Sequence, residues 1–123
     1  MEAKRLEPSC ETVILFRDGQ INLKLANTAL VILSVDELRR RGFRLVINDE
    51  VSALVFNEVT DDAGEIGAAL IYPRQCTVIG RDMPNGLRLP DTVSRKHAAL
   101  KGLSNGRGVI IADLGSANGT YIE

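Results

Sequence analysis

Residues 97–122 of the chain read HAALKGLSNGRGVIIADLGSANGTYI. Ser104-Asn105-Gly106 separates two mostly apolar runs, at 97–101 and 109–113, and this pattern predicts two short strands joined by a turn. A glycine-bounded loop at 115–119 then precedes a third β-prone run at 120–122. Short strands separated by turn residues indicate an antiparallel all-β architecture.

The β pattern extends back toward the N-terminus. Residues 21–25 alternate strictly between apolar and polar side chains, which is typical of a half-buried strand. Asp18-Gly19 marks a turn before this strand, while residues 1–11 are polar and predicted to be loose. Further strands are predicted at 13–16, 29–33, 43–47, 51–59, 66–72, 76–81 and 87–89.

One short helix interrupts the predicted strands. Ser34 and Glu37 have the spacing of a capping box, in which each side chain accepts from the backbone amide of the other residue. The three arginines at 39–41 suit the negative end of a helix dipole, and Gly42 suits the left-handed residue that follows a helix. The sequence therefore predicts an all-β fold, an antiparallel β-sandwich with one helix near 35–41.

The composition restricts the function. A chain of 123 residues that is 45% apolar can form one domain with a hydrophobic core. Its 15 basic and 16 acidic residues give a net charge of −1, so we expect no nucleic-acid partner. One histidine and two distant cysteines predict no metal site, and we expect no cofactor. No apolar run is long enough for a membrane span or a signal peptide, and the expectation is a cytoplasmic protein without a membrane partner.

Three short motifs carry side chains that bind anions. They are Ile79-Gly80-Arg81, Ser94-Arg95-Lys96-His97 and the loop at 113–120, which contains Asn118. Each lies at the end of a predicted strand, and loops at one end of a sandwich can form a common site. Arginine forks pair two phosphate oxygens, while a hydroxyl or an amide can take a third. The set fits a phosphate ester attached to a peptide.

In their order and spacing, Gly80-Arg81, Ser94-Arg95-Lys96-His97 and Asn118-Gly119 resemble the motifs of the forkhead-associated (FHA) domain family. The resemblance covers roughly residues 52–123. It implies an FHA-like β-sandwich that recognises a phosphothreonine-containing segment of a protein partner and contains no catalytic residue. The family prefers phosphothreonine to phosphoserine because one methyl group fills an apolar niche, a contact worth roughly 0.8 kcal/mol.

The resemblance also implies a role for each matching residue. Arg81 and Ser94 would hold the phosphate, with Arg95 and Thr92 as further phosphate contacts. Asn118 would hydrogen-bond the peptide backbone beside the phosphothreonine. The remaining matches would support the site structurally, and they are Gly80, His97 and Gly119.

Two other interpretations stand beside this one. Ser94, His97 and Asp113 are the ingredients of a hydrolase triad. Ser94 and His97 share one short turn, however, and no nucleophile-elbow pattern surrounds the serine, so we predict that the protein is not an enzyme. The second alternative is an FHA-fold scaffold that docks a partner or a second copy independently of phosphate.

The resemblance divides the chain into an N-terminal segment at 1–50 and an FHA core at 51–123. An FHA domain normally continues past its Asn-Gly motif with strands that close the sandwich, whereas this sequence ends at Glu123. Residues 12–33 are similar to that closing segment, although Ala26 stands where a glycine is common. The hypothesis is a circularly permuted or swapped fold. The alternatives are the tail of a preceding FHA domain, completion by a second copy in a strand-swapped homo-oligomer, and an unrelated extension.

Overall fold

The structure, a computed structural model, describes residues 3–43, 51–57, 67–83 and 87–123. The elements of these residues, in chain order, are β1 (Lys4–Arg5), β2 (Glu11–Leu15), β3 (Gln20–Leu25), β4 (Thr28–Ser34), α1 (Val35–Arg40), β5 (Ala53–Phe56), β6 (Ala68–Ile71), β7 (Thr77–Ile79), β8 (Ala98–Gly102), β9 (Gly108–Asp113) and β10 (Thr120–Ile122). They confirm the predicted all-β fold with one short helix. Within the described ranges no helix has the length and apolar character needed to cross a membrane.

Two antiparallel sheets form the sandwich. One sheet has the strand order β1-β10-β3-β4-β5-β6 and the other has the order β2-β9-β8-β7. The β3–β4 hairpin lies between β10 and β5, with Leu25 opposite Thr120 and Val31 opposite Phe56. The strands β3 and β4 are therefore interior members of a sheet to which residues 53–122 also contribute. The division into segments 1–50 and 51–123 and the permuted order relative to the family stay predictions.

The burial pattern explains why β3 alternates and β4 does not. In β3, Ile21, Leu23 and Leu25 face the core between the sheets, and the intervening polar side chains face outward. In β4, Leu30 and Ile32 enter the same core. The opposite face of β4 is covered by a second cluster, in which the helix contributes the buried side chain of Leu38 and the other members are Val31, Leu33, Leu54 and Phe56. A strand that is covered on both faces reads as a continuous apolar run.

Of the two hydrogen bonds predicted for the start of the helix, the structure has the first but not the second. The Ser34 hydroxyl accepts from the amide of Glu37 at 3.2 Å, which is the expected N-cap. The predicted return bond from the Glu37 carboxylate to the Ser34 amide is wrong, because that amide donates to the carbonyl of Gly19. The carboxylate instead pairs with Arg40 and Arg41, at 3.3 and 3.0 Å.

Two other local predictions are wrong, and parts of others lie outside the described residues. Residues 3–10 are not all loose, because they include β1 and the buried side chain of Leu6. Residues 87–89 form no strand, although Leu87 is buried in the core. Most of the strand predicted at 43–47 and the end of that predicted at 51–59 fall outside the described residues.

The turn between β3 and β4 requires an unusual backbone conformation at Ala26. Its φ is +54°, a left-handed value that glycine adopts most easily. This explains in physical terms why a glycine would suit the position. The Ala26 amide donates to the carbonyl of Gly119 at 2.9 Å, so the strained turn is tied to the loop that precedes β10.

We expect Ile32→Ala to destabilise the whole domain. Ile32 is fully buried and pairs with Val55, so truncation leaves a cavity between the sheets. The free energy of unfolding, measured by urea denaturation, should fall by about 2–5 kcal/mol in one cooperative transition. Asn22→Ala, on the exposed side of β3, should change it little. Two separable transitions, with only one shifted, would contradict the structural integration of the hairpin.

Candidate functional site

Arg81 lies beside the segment that carries Ser94. Its guanidinium Nη1 donates to the carbonyl of Asp91 at 3.2 Å, and its amide donates to the carbonyl of Ser94 at 3.1 Å. Gly80 permits this approach, because a Cβ atom at that position would collide with the backbone carbonyl of Arg95. Because Gly80 has no side chain, the backbone of the Gly80-Arg81 motif can contact the backbone of the Ser94-Arg95 motif directly.

The loop that carries Asn118 contacts the segment that carries Ser94 through two hydrogen bonds. The Asn118 side chain donates from Nδ2 to the carbonyl of Thr92 at 2.7 Å. The Ser94 hydroxyl oxygen accepts from the amide of Ala117 at 3.0 Å. A serine hydroxyl has one donor and two acceptor sites, so this bond leaves its proton available to a ligand. The structure thus brings Arg81 and Asn118 into contact with residues 91–94, the segment that includes Ser94.

His97 is the buried connector of the site. Its side chain is fully buried, and its Nδ1 accepts from the amide of Ser94 at 3.0 Å. An accepting Nδ1 places the ring proton on Nε2, which lies 2.8 Å from the carbonyl of Gly119 and donates to it. The ring therefore fixes the distance between the Ser94 turn and the Asn118-Gly119 loop. Gly119 has a φ of +88°, and a Cβ there would lie 2.9 Å from Arg5 Nε and 3.0 Å from the Tyr121 hydroxyl.

Asp113 organises the loop that carries Asn118. One carboxylate oxygen accepts from the hydroxyls of Ser116 and Thr120, both at 2.6 Å. The other accepts from the amides of Gly115 and Ser116, both at 3.0 Å. The Ser116 hydroxyl in turn accepts from the amide of Gly119 at 2.9 Å. These bonds define the path of the loop between β9 and β10.

The hydrogen bonds also determine the ionisation of Asp113. Burial by itself raises the pKa of the carboxyl, but the bonds from Ser116, Thr120 and Gly115 outweigh burial and hold the pKa below its ordinary value of 3.8. Each of these donors favours the charged form. The loop is therefore built around a carboxylate ion.

Arg81 and Arg95 share one carboxylate partner. Asp82 lies 3.8 Å from Arg81 Nε and 3.4 Å from Arg95 Nε. The exposed fraction is 31% for the Arg81 side chain, 76% for Arg95 and 58% for Asp82. Two guanidinium groups that reach the same small anion can also reach a common oxyanion. Thr92 has an exposed side chain, and its bond to Asn118 runs through its carbonyl.

The arrangement does not have the geometry of a hydrolase triad. His97 binds the amide of Ser94, and the Ser94 hydroxyl oxygen binds the amide of Ala117. Asp113 Oδ1 lies 4.0 Å from His97 Nε2, whose proton goes to Gly119. The bond between nucleophile and base that a triad needs is replaced by these structural bonds. Among the described residues no cluster of His, Cys, Asp or Glu could hold a metal ion.

The sequence analysis missed two acidic residues of the site. Asp113 was considered only as a triad member, although an aspartate side chain in a loop commonly accepts from the backbone amide two residues on, here that of Gly115. Asp82 directly follows the Gly80-Arg81 pair, but no sequence signal indicates that it would lie between two arginines that are distant in the chain.

The comparisons with known proteins agree with the sequence motifs. The family model described as the FHA domain matches residues 77–123, which include every motif of the candidate site. Neither the curated proteins nor the solved structures gave a match to the chain.

We expect Asp113→Asn to loosen the 113–120 loop and to change how stability depends on pH. An asparagine cannot accept all four bonds, so the free energy of unfolding at pH 7 should fall by about 1.5–3 kcal/mol. The pKa of Asp113 is lower in the folded state, so its contribution is complete above pH 3.8 and is lost as the pH falls through the folded-state pKa. The difference between wild type and Asp113→Asn should therefore shrink in acid.

Urea denaturation at a series of pH values measures this difference. Asp36→Asn is the matched control, because the Asp36 side chain is 89% exposed, and it should show little change at any pH. A gap between wild type and Asp113→Asn that stays constant down to pH 2 would contradict the role of the ionised carboxylate.

Proposed function

We propose that this chain, in which residues 77–123 match the FHA domain model, binds a phosphothreonine-containing segment of a protein partner, in signalling or regulation, and catalyses no reaction. FHA domains are phosphopeptide-binding interaction modules and not enzymes. The observation that carries the proposal is that Arg81 and the loop of Asn118 both bind residues 91–94, the segment that includes Ser94.

The phosphate is assigned to the space beside Arg81 and Ser94. Arg81 is oriented by its bond to the Asp91 carbonyl, and it retains further N–H donors for phosphate oxygens. The Ser94 hydroxyl has its oxygen held by Ala117 and its proton available to a phosphate oxygen. Asp82 supports the assignment, because its carboxylate lies 3.8 Å from Arg81 Nε and 3.4 Å from Arg95 Nε, so both guanidinium groups reach one anion. Phosphate carries about twice the charge of a carboxylate near pH 7 and is the stronger partner.

Arg95 and Asn118 are assigned to the remaining contacts. Arg95 is 76% exposed, so its side chain has room to turn from Asp82 to a bound phosphate, and Thr92 is a further contact on the same segment. Asn118 uses one N–H for the Thr92 carbonyl, so its other N–H and its carbonyl oxygen can bind the backbone of a peptide. In this proposal Gly80, His97 and Gly119 hold these groups in place.

A second candidate function is docking that does not depend on phosphate. It is favoured by the outer face of the four-stranded sheet, where Val13 and Leu15 of the edge strand β2 are 57% and 63% exposed. A partner bound there would not need Arg81 or Ser94. Equal binding of matched phosphorylated and unphosphorylated peptides would favour this second function.

We expect Arg81→Ala and Ser94→Ala each to weaken phosphopeptide binding at least roughly tenfold. Each variant removes a charge-assisted hydrogen bond worth about 1.5–3 kcal/mol. A library with fixed phosphothreonine and degenerate flanks would supply a binding peptide, and fluorescence anisotropy would measure its affinity. Arg39→Ala, on the exposed helix, is the matched control and should bind like wild type. Circular dichroism should show that all variants fold.

We expect phosphopeptide affinity to fall as the pH decreases from 7.5 to 5. The second pKa of the phosphate is about 6, so roughly one tenth of it remains dianionic at pH 5, and affinity should fall by up to about tenfold. The low pKa of Asp113 keeps that carboxylate ionised over this range, so the loop itself should not change. Unchanged affinity between pH 7.5 and 5 would contradict a phosphate ligand.

A further inference from the structure

An open depression lies next to the proposed phosphopeptide site. It has a volume of about 420 Å³ and lies where the β3–β4 hairpin approaches the Asn118 loop. Its described lining residues are Ala3, Lys24, Ala26, Asn27, Thr92, Asn118 and Tyr121. Thr92 and Asn118 belong to both the site and the depression, so a peptide bound at the site would continue into this space.

Lys24 and Tyr121 line one side of the depression. Tyr121 of β10 is directly opposite Arg5 of β1 and Lys24 of β3 in the antiparallel register. Directly opposite residues share a face of the sheet. For Lys24 this is the outer face, because its neighbours Leu23 and Leu25 are buried in the core. The tyrosine therefore has a cation on each side.

These two cations have no acidic partner in the described part of the chain. No ion pair joins Arg5 or Lys24 to a described carboxylate, and none of the described lining residues is acidic. By contrast, the two arginines of the site, Arg81 and Arg95, both pair with Asp82. The depression thus has a local positive charge, although the whole chain has a net charge of −1.

Hydrogen bonds join this surface rigidly to the site. The Tyr121 hydroxyl donates to the carbonyl of Asn118 at 3.3 Å. The amide of Ala26 donates to the carbonyl of Gly119 at 2.9 Å. The backbone that carries Lys24 is therefore anchored to the Asn118 loop, and this is a requirement for reading a side chain at a defined place in a bound peptide.

We propose that the depression binds an acidic side chain, aspartate or glutamate, that lies within a few residues of the phosphothreonine in the partner, and that Lys24 is the residue that selects it. The inference rests on the proposed function, because the phosphothreonine places the acidic residue. The polar lining, together with Lys24, which pairs with no carboxylate of the described residues, favours a carboxylate over an apolar side chain. An exposed ion pair of this kind changes affinity by about twofold to fivefold.

The test uses the full chain and a peptide library with fixed phosphothreonine. At each of the four positions on either side, glutamate is compared with glutamine and lysine. Wild type should prefer glutamate to glutamine about twofold to fivefold on one side of the phosphothreonine, and the preference should fade at high salt. Lys24→Glu should reverse it in favour of lysine. Lys101→Glu, which makes the same charge change in the other sheet, should leave the preference intact.

The outcomes separate this inference from the function on which it rests. Equal binding of glutamate and glutamine at every position, with phosphate dependence intact, would overturn the depression as a selective site and leave the proposed function standing. A glutamate preference that survives Lys24→Glu would overturn the role of Lys24. Loss of binding to the whole phosphopeptide library, with wild type folded by circular dichroism, would overturn the proposed function together with the inference.

Discussion

The candidate site depends on the two hydrogen bonds of one buried imidazole. His97 accepts from the Ser94 amide and donates to the Gly119 carbonyl, so a single planar ring sets the spacing of two loops. The ring is fully buried, and removing it would leave a backbone N–H and a backbone carbonyl without this partner in the interior. Gly119 also accepts from Ala26, so the same carbonyl ties the β3–β4 turn to the site. Three separate parts of the chain therefore converge on the partners of His97.

The positions of individual charged side chains matter more at the candidate site than the net charge of the chain. The net charge of −1 gives no long-range attraction for a phosphate, yet two arginines are held within reach of one carboxylate, that of Asp82. Asp113 has the opposite function: its charge faces inward, is stabilised by four hydrogen bonds and gives the loop its shape. The ligand-facing surface can then consist of donors, because the acid that organises the loop is turned away from it.

The sequence predicted most of the fold because the strands obey local rules. Alternation identified β3, a two-sided apolar run identified β4, and Ser34 identified the start of the helix. It did not predict the short strand β1 or the burial of Leu6, because two exposed residues carry no periodic signal. The resemblance to the FHA motifs supplied the candidate site residues, but not Asp82, whose contact to Arg95 arises only when two separate loops meet. The predicted bond between the Glu37 carboxylate and the Ser34 amide does not form, because that amide donates to the Gly19 carbonyl and the carboxylate pairs with Arg40 and Arg41.

The position of the β3–β4 hairpin connects the fold to recognition. Its strands are interior members of the six-stranded sheet, so the domain cannot form that sheet as described without them. Its turn also supplies Ala26 and Asn27 to the depression beside Asn118, and Lys24 lies one residue before the end of β3. Ala26 adopts a left-handed φ of +54° while its amide bonds to Gly119, so an unfavourable local conformation is maintained by a contact with the site. The hairpin therefore stabilises the sandwich through its strands and contacts the loop that carries Asn118 through its turn. Under the proposed function, a change in the N-terminal segment would alter recognition even where Arg81 and Ser94 are intact.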